Sequence, residues 1–411
     1  MICLEAQYFN VNRILLQGTA LWPFQQSKFA QFQFNIMFII LVTATVCQIT
    51  TFVTSEITLK FVFKVLPCIL FFIMLVIHYS SFRINMKTLK DLMRQLHRAC
   101  TKLEDKNEIA IINKYGWNAH RYTIVLIISF LSGAFIFIAS QIAIAFFDIS
   151  SPTNGSYKHR ILYIHIATEY FIDEQKYFYL IVFHMYTALF IGTFSAIAIE
   201  TLMIAYLQHT SGMFRIACYR IEHAMKINIL ENISLSTASS ISKKIVYAIN
   251  IHREAMKLSE LLISSFDKTY FCLTVLSVIT LSLNLFQIFQ IVTSEDDAMG
   301  VSIPVLIVVI LIVYMFSANF FGQDIMDQNN EIYIAAYNIQ WYKCPQRIQK
   351  LILLLLQRRA KEFHLTCGGL FVASFEFLAT VKISIIYYIL HILNMLNTFL
   401  IRSVDKFLLI T

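Results

Sequence analysis

Charge is scarce in this chain, and glycine and proline are scarcer. Only 14% of the 411 residues are Asp, Glu, Lys or Arg, against 58% apolar, and there are 10 Gly and 5 Pro. A mean hydropathy of +0.65 goes with that balance. These figures exclude a soluble enzyme, a nucleic-acid binder and a disordered regulator as whole-chain readings, because each needs charged surface or charged tracts. The eight cysteines are scattered without CxxC or other ligand spacing, so neither a disulfide framework nor a metal site is implied. HExxH, GxxxxGK, GxSxG and paired-carboxylate motifs are all missing, which leaves no enzyme signature and no cofactor. No internal repeat and no matched pair of broken spans is present, against a secondary transporter. Met1 to Phe34 is mixed and polar, so no secretory leader is expected.

What the chain does have is apolar length. A bilayer core takes about 20 apolar residues per helix. Six charge-poor runs reach that length: Phe29–Ser55, Val65–Phe82, Tyr122–Phe147, Tyr177–Ile199, Thr269–Ser294 and Ala298–Gln323. A seventh is expected in Phe363–Ile401, interrupted by Glu376 and Lys382. The expected fold is an all-α membrane protein with seven transmembrane helices.

The net charge of +8 reads as topology. Of the 33 Lys and Arg, 25 fall in the N-terminal segment and the loops 83–121, 208–268 and 324–362, and 7 on the opposite side. Since cytoplasmic loops carry the basic excess, the N-terminus is expected to be cytoplasmic and the C-terminus extracellular. Asn154-Gly155-Ser156 then lies outside as a glycosylation acceptor, and Asn232-Ile233-Ser234 lies inside and silent.

Two inner segments carry apolar stripes at helical spacing. One is Ala248, Ile251, Ala255, Leu258 and Leu262, running into span five. The other is Ile332, Ala335, Ala336 and Ile339, then Ile348, Leu351, Ile352 and Leu355 after Pro345. Such stripes need a partner surface and suggest a layer of subunit contacts under the membrane. Three regions follow: 1–323 with spans one to six, 324–362 as a cytoplasmic anchor helix, and 363–411 with the last span and tail.

Seven spans invite a G-protein-coupled receptor, but that class has its N-terminus outside and carries Asp-Arg-Tyr and Asn-Pro-x-x-Tyr, which are missing here. The last quarter instead holds an ordered pattern. It runs Gly322-Gln323, Ala335-Ala336-Tyr337, Trp341-Tyr342, Pro345, Gln349-Lys350-Leu351, Gln357-Arg358, Gly368-Gly369-Leu370-Phe371, Ser374-Phe375-Glu376, Lys382-Ile383-Ser384 and Tyr387-Tyr388. This resembles the C-terminal signature of the insect odorant receptor family, and length, span number and small outer loops match as well. The run Tyr8 to Arg13 followed by Leu21-Trp22-Pro23 looks like hymenopteran members.

The resemblance implies a tetrameric, odorant-gated, non-selective cation channel in the plasma membrane of olfactory sensory neurons. In it, a tuning subunit binds the odorant and assembles with an obligate olfactory co-receptor. The short loop 208–268 makes this chain look like the tuning subunit. Its expected partners are a small hydrophobic odorant or hydrocarbon, the co-receptor, permeating monovalent cations and calcium, and membrane lipid. Alternatives are a seven-span chemoreceptor of the related gustatory type and a non-conducting receptor.

An apolar odorant needs an aromatic-lined cavity with a few polar groups. The outer halves of spans two, three, four and six offer Phe71, Phe72, Phe137, Ser140, Gln141, Phe183, His184, Met185, Tyr186 and Tyr314. Gln141 and His184 stand out, since a polar group at that depth has to be paired. Glu376 and Lys382 would each cost about 2.5–3.5 kcal/mol facing lipid at mid-bilayer, so they face water or protein. By the family motif the last span lines the pore, with Tyr387, Ile389 and Leu390 at its gate. Tyr337, Trp341 and Tyr342 are expected to pack the inner subunit anchor.

Overall fold

The computed structural model describes residues 9–25, 27–150, 168–226, 235–293, 301–358, 363–384 and 387. Its elements are α1 (Asn10–Gly18), α2 (Lys28–Ile49), the single turn α3 (Thr51–Thr54), α4 (Leu59–Ile84), α5 (Met86–Thr101), α6 (Lys106–Ser150), α7 (Glu174–Lys226), α8 (Leu235–Thr293) and α9 (Ser302–Asn338). A 3₁₀ turn (Trp341–Lys343), α10 (Gln346–Arg358) and a two-stranded hairpin of β1 (Thr366–Cys367) and β2 (Phe371–Val372) follow. A last helix, α11, covers 375–384.

Local chemistry sets several of the ends. Ser27 Oγ accepts from the Ala30 N–H at 3.1 Å and starts α2, and Thr58 Oγ1 does the same for the Phe61 N–H at 3.2 Å at α4. Pro304 is the third residue of α9, where its missing N–H would have had no intrahelical partner.

Six of the helices are long and apolar enough to cross a membrane. Their apolar surface has two destinations. Val125, Ile128, Leu131, Phe135 and Ile138 of α6 are exposed on one side, as are Phe29, Phe32, Ile36 and Ile39 of α2. In water such surface would drive association, whereas lipid tails solvate it at no cost. The other face of each helix packs on α7, which touches α1, α2, α4, α5, α6, α8 and α9. Its residues Ala198, Ile199, Leu202, Met203, Ala205 and Tyr206 are buried, so successive turns of α7 form the axis of the bundle.

At 59 residues α8 is about 88 Å long, roughly twice the 40–45 Å of a bilayer with its headgroups. The excess continues straight beyond the membrane at the end that carries the basic loops. There the expected stripe of Ala248, Ile251, Ala255, Leu258 and Leu262 is buried within this chain, and so are Ile332, Ala335, Ala336, Ile348, Ile352 and Leu355. Both stripes therefore find their partner surface inside the single subunit. A bidentate ion pair ties the same region: Arg220 Nε and Nη2 donate to Glu108 Oε1 and Oε2 at 2.6 and 2.8 Å, joining α7 to α6.

The start of the seventh span departs from the sequence expectation. Residues 363–373 form no helix. Thr366 pairs with Val372 and Cys367 with Phe371 across a turn in which Gly368 and Gly369 take φ of +64° and +67°. Two adjacent left-handed residues close a hairpin, and only glycine adopts them without strain. The helix begins after this hairpin.

Candidate functional site

At the end of the bundle away from the basic loops, His184 of α7 joins three segments. Its Nε2 lies 3.0 Å from Thr43 Oγ1 of α2, and its Nδ1 lies 2.6 Å from the Tyr170 hydroxyl in the segment leading into α7. The Thr43 hydroxyl donates to the Ile39 carbonyl at 2.8 Å. The imidazole therefore carries its proton on Nε2, donates to Thr43 and accepts from the Tyr170 phenol. Two residues on, and so on the other side of α7, the Tyr186 ring meets Phe137 of α6 edge to face, with centroids 5.9 Å apart. Met185, Phe71 and Phe72 are buried in the same continuous core.

Phe183 separates from this group, being 71% exposed on the outside of the bundle. The reason is geometric: four consecutive helical residues, 183 to 186, fan out at about 100° each and cannot all face one cavity. The side chains of Ser140 and Gln141 lie outside the described part of the structure, as do Asn154, Ile389 and Leu390.

Deeper in the bundle lies a histidine–glutamate pair that the charge-free runs do not mark. His78 Nε2 of α4 donates to Glu200 Oε1 of α7 at 3.0 Å, with side-chain exposures of 8% and 14%. The imidazole also meets the Tyr314 ring of α9 at 89° and 6.5 Å. The apolar run of span four stops at Ile199, just short of Glu200 and well before the basic loop that starts at 208. Because α7 continues to Lys226, Glu200 sits inside a membrane-length helix. A glutamate ending one apolar run and a histidine within another is the available signal.

Tyr314 thus belongs to a second location. With Tyr270, Thr274, Met315, Asn319 and Cys367 it lines a cavity of about 40 Å³ between α8, α9 and the hairpin. That volume holds two or three waters and no odorant-sized molecule. The hairpin leads into α11, where Val381 is buried and Phe377 and Leu378 pack on the core. Glu376, Lys382 and Tyr387 are exposed from their own chain, Tyr387 by 70%. Among the described residues no cluster of three His, Cys, Asp or Glu could hold a metal.

At the basic end Tyr337 and Tyr342 are 69% and 61% exposed, and Trp341 is half-buried with its ring edge-on to Tyr342 at 6.4 Å. Leu354 of α10 is 64% exposed beside them in sequence order. With the apolar stripes already buried, these groups are among those this end offers to another molecule, together with Tyr247, Ile334 and Leu353.

The family model described as 7tm Odorant receptor matches residues 58–385. No curated protein matches the chain. Among solved structures, the insect olfactory receptor OR5 from Machilis hrabei in complex with eugenol superposes with a TM-score of 0.77. The sequence identity is 15%, covering 95% of this chain and 98% of that one. Another structure of the same Machilis hrabei receptor gives a TM-score of 0.71 at 14% identity, with the same coverage.

Proposed function

The chain belongs to the 7tm odorant receptor family, a multi-pass all-α membrane fold of seven spans that does no enzyme chemistry, and on that premise we propose that it is the odorant-binding subunit of a ligand-gated cation channel. The single observation that carries the reading is the pairing of two features in one subunit. One is a partly buried aromatic cluster at His184, whose ring is held by two hydrogen bonds. The other is a final helix that turns Glu376 and Lys382 away from its own bundle. Charged groups facing away from a subunit at membrane depth are tolerated where they meet water or another subunit. A pore between subunits supplies both.

The occupant is a small, largely apolar molecule with one hydrogen-bonding group. His184 and Tyr170 provide the polar contacts, and Phe71, Phe72 and Met185 the apolar wall, while Tyr186 and Phe137 pack on the other side of α7. The solved relative in complex with eugenol, a small phenol, fits that chemical class. The sequence adds Ser140 and Gln141 as further candidate contacts. The basic loops support a cytoplasmic N-terminus and a ligand site toward the extracellular side, the side on which Asn154 is an acceptor for glycosylation. Glu376 and Lys382 face the permeating sodium, potassium and calcium ions, with Tyr387, Ile389 and Leu390 at an apolar gate. Tyr337, Trp341 and Tyr342 anchor neighbouring subunits. The short loop 208–268 assigns this chain the tuning role beside an obligate co-receptor, in the plasma membrane of olfactory neurons.

Whole-cell recording tests the reading. In cells expressing the chain with an insect olfactory co-receptor, a panel from small esters and phenols to long hydrocarbons evokes cation current, and cells expressing either chain alone respond less. Normal surface expression with no current from any member of the panel contradicts it.

A further inference from the structure

The hairpin Leu365–Ala373 is held at two points by the ligand-bearing bundle. At its turn, the Gly368 N–H donates to Asp267 Oδ1 of α8 at 2.6 Å, and Phe371 stacks on Phe271 of α8 at 5.8 Å. At its exit, the Ser374 N–H donates to Asn319 Oδ1 of α9 at 3.0 Å, and Asn319 Nδ2 is fixed by the Met315 carbonyl at 2.8 Å. Asn319 is 5% exposed, so its amide is a buried cap on the first turn of α11. One turn further along α9, Gly322 lets the two backbones touch. A Cβ there would stand 2.5 Å from both the Cβ and the carbonyl oxygen of Ala373.

Around these contacts the chain has little slack. The Ala373 N–H closes the hairpin onto the Leu365 carbonyl at 2.9 Å, and Phe371 packs on Phe377 of α11 with centroids 4.9 Å apart. A displacement of α8 relative to α9 therefore moves the two ends of the hairpin unequally and tilts the start of α11. The small cavity lined by Tyr270, Tyr314, Asn319 and Cys367 lies on that same hinge line and gives the hairpin room to shift.

We propose that the hairpin is the mechanical link between α8 and α9, which pack on the ligand-bearing α7, and the last helix, with Asp267 and Asn319 as the positioning residues that transmit the movement. This rests on the channel reading for its functional consequence, while the clamp itself is a property of the single chain. Neither residue touches the ligand cluster, so removing either hydrogen bond uncouples binding from opening. Packed contacts with two discrete arrangements carry such coupling better than a flexible loop.

The test uses the full-length chain with its co-receptor and the strongest agonist among the small esters, phenols and hydrocarbons applied to the unmodified protein. Asp267→Ala and Asn319→Ala each lower the maximal evoked current about tenfold, as loss of a hydrogen bond that positions the hairpin allows, with the half-maximal concentration within about threefold of the parent. Asp267→Asn keeps an oxygen acceptor for the Gly368 N–H and restores the parent current. A purely structural role would reduce surface expression alike in all three variants. Parent-like maximal currents in both alanine variants, or an equal loss in Asp267→Asn, overturn the proposal. If no member of the panel evokes current from the unmodified chain, the channel reading fails separately and hydrogen exchange decides the clamp. Amides 374–378 then exchange at least about tenfold faster in Asn319→Ala, with α4 and α7 unchanged, and equal exchange overturns it.

Discussion

His78 and Glu200 meet Nε2 to Oε1 at 3.0 Å in the interior of the bundle, joining the second and fourth spans by a charge-assisted hydrogen bond. His78 Nδ1 has no partner among the described residues, so the glutamate is the imidazole's one anchor. Removing a single member of such a pair strands the other: His78→Ala or Glu200→Ala lowers stability by about 3 kcal/mol. Replacing both by apolar residues, His78→Phe with Glu200→Leu, recovers most of that loss. Thermal unfolding of the purified receptor in lipid checks both statements. A double variant as unstable as the sum of the two single ones contradicts them.

At Gly192, α7 packs tightly against α4 and α2. A Cβ there would stand 2.6 Å from Leu75 Cδ1 and 3.1 Å from Leu41 Cδ2. Gly192→Ala is expected to destabilise by about 1–3 kcal/mol through overpacking, the leucine tips absorbing part of the clash. Gly133→Ala is its control, since no atom lies within 4 Å of that position. The control stabilises by up to about 1 kcal/mol through helix propensity. Thermal shift of the two variants gives opposite signs.

Tyr170→Phe removes the phenol that donates to His184 Nδ1 at 2.6 Å and leaves the ring in place. The imidazole loses its fixed orientation, and the half-maximal agonist concentration rises about fivefold, the equivalent of one net hydrogen bond. Phe183→Ala, on the exposed side of α7, leaves the concentration dependence unchanged. Concentration–response curves for the two variants separate the faces of one helix.

Cys100 lies at the end of α5, outside the membrane, and burial pushes its thiol up to about 12, with the Glu254 charge adding to the rise. A raised thiol pKa leaves the neutral form dominant at every pH below that value, and only the thiolate is nucleophilic. Maleimide labelling of Cys100 at neutral pH is slow in the folded receptor and becomes fast after denaturation. Rapid labelling of the folded protein would show that α5 opens readily.

Much of this was legible before any coordinates. The six apolar runs correspond to helices, because a bilayer span leaves a signal of composition and length that needs no knowledge of neighbours. The stripes at 248–262 and 332–355 were legible as helical faces, but their destination was not. Periodicity says that a face is buried and is silent on whether the same chain or another subunit buries it. Residues 183–186 show the same limit at the ligand site, since four adjacent residues name a depth in the membrane and leave the facing direction open.

The hairpin at 363–373 escaped because its strands are two residues each, too short for an alternating pattern. Gly368-Gly369 was visible and was read as part of a family motif without its conformational meaning. Glu200 escaped for the opposite reason. It is one charge at the edge of a long apolar run, and its burial depends on α7 continuing for many turns beyond it.

Recording from excised patches of cells expressing this chain with an insect co-receptor, in nucleotide-free solution, asks whether the receptor itself conducts. The proposed channel opens to agonist for as long as the patch survives, with unit currents carried by sodium, potassium and calcium. A response that is present in the whole cell and disappears on excision would assign the conductance to another protein.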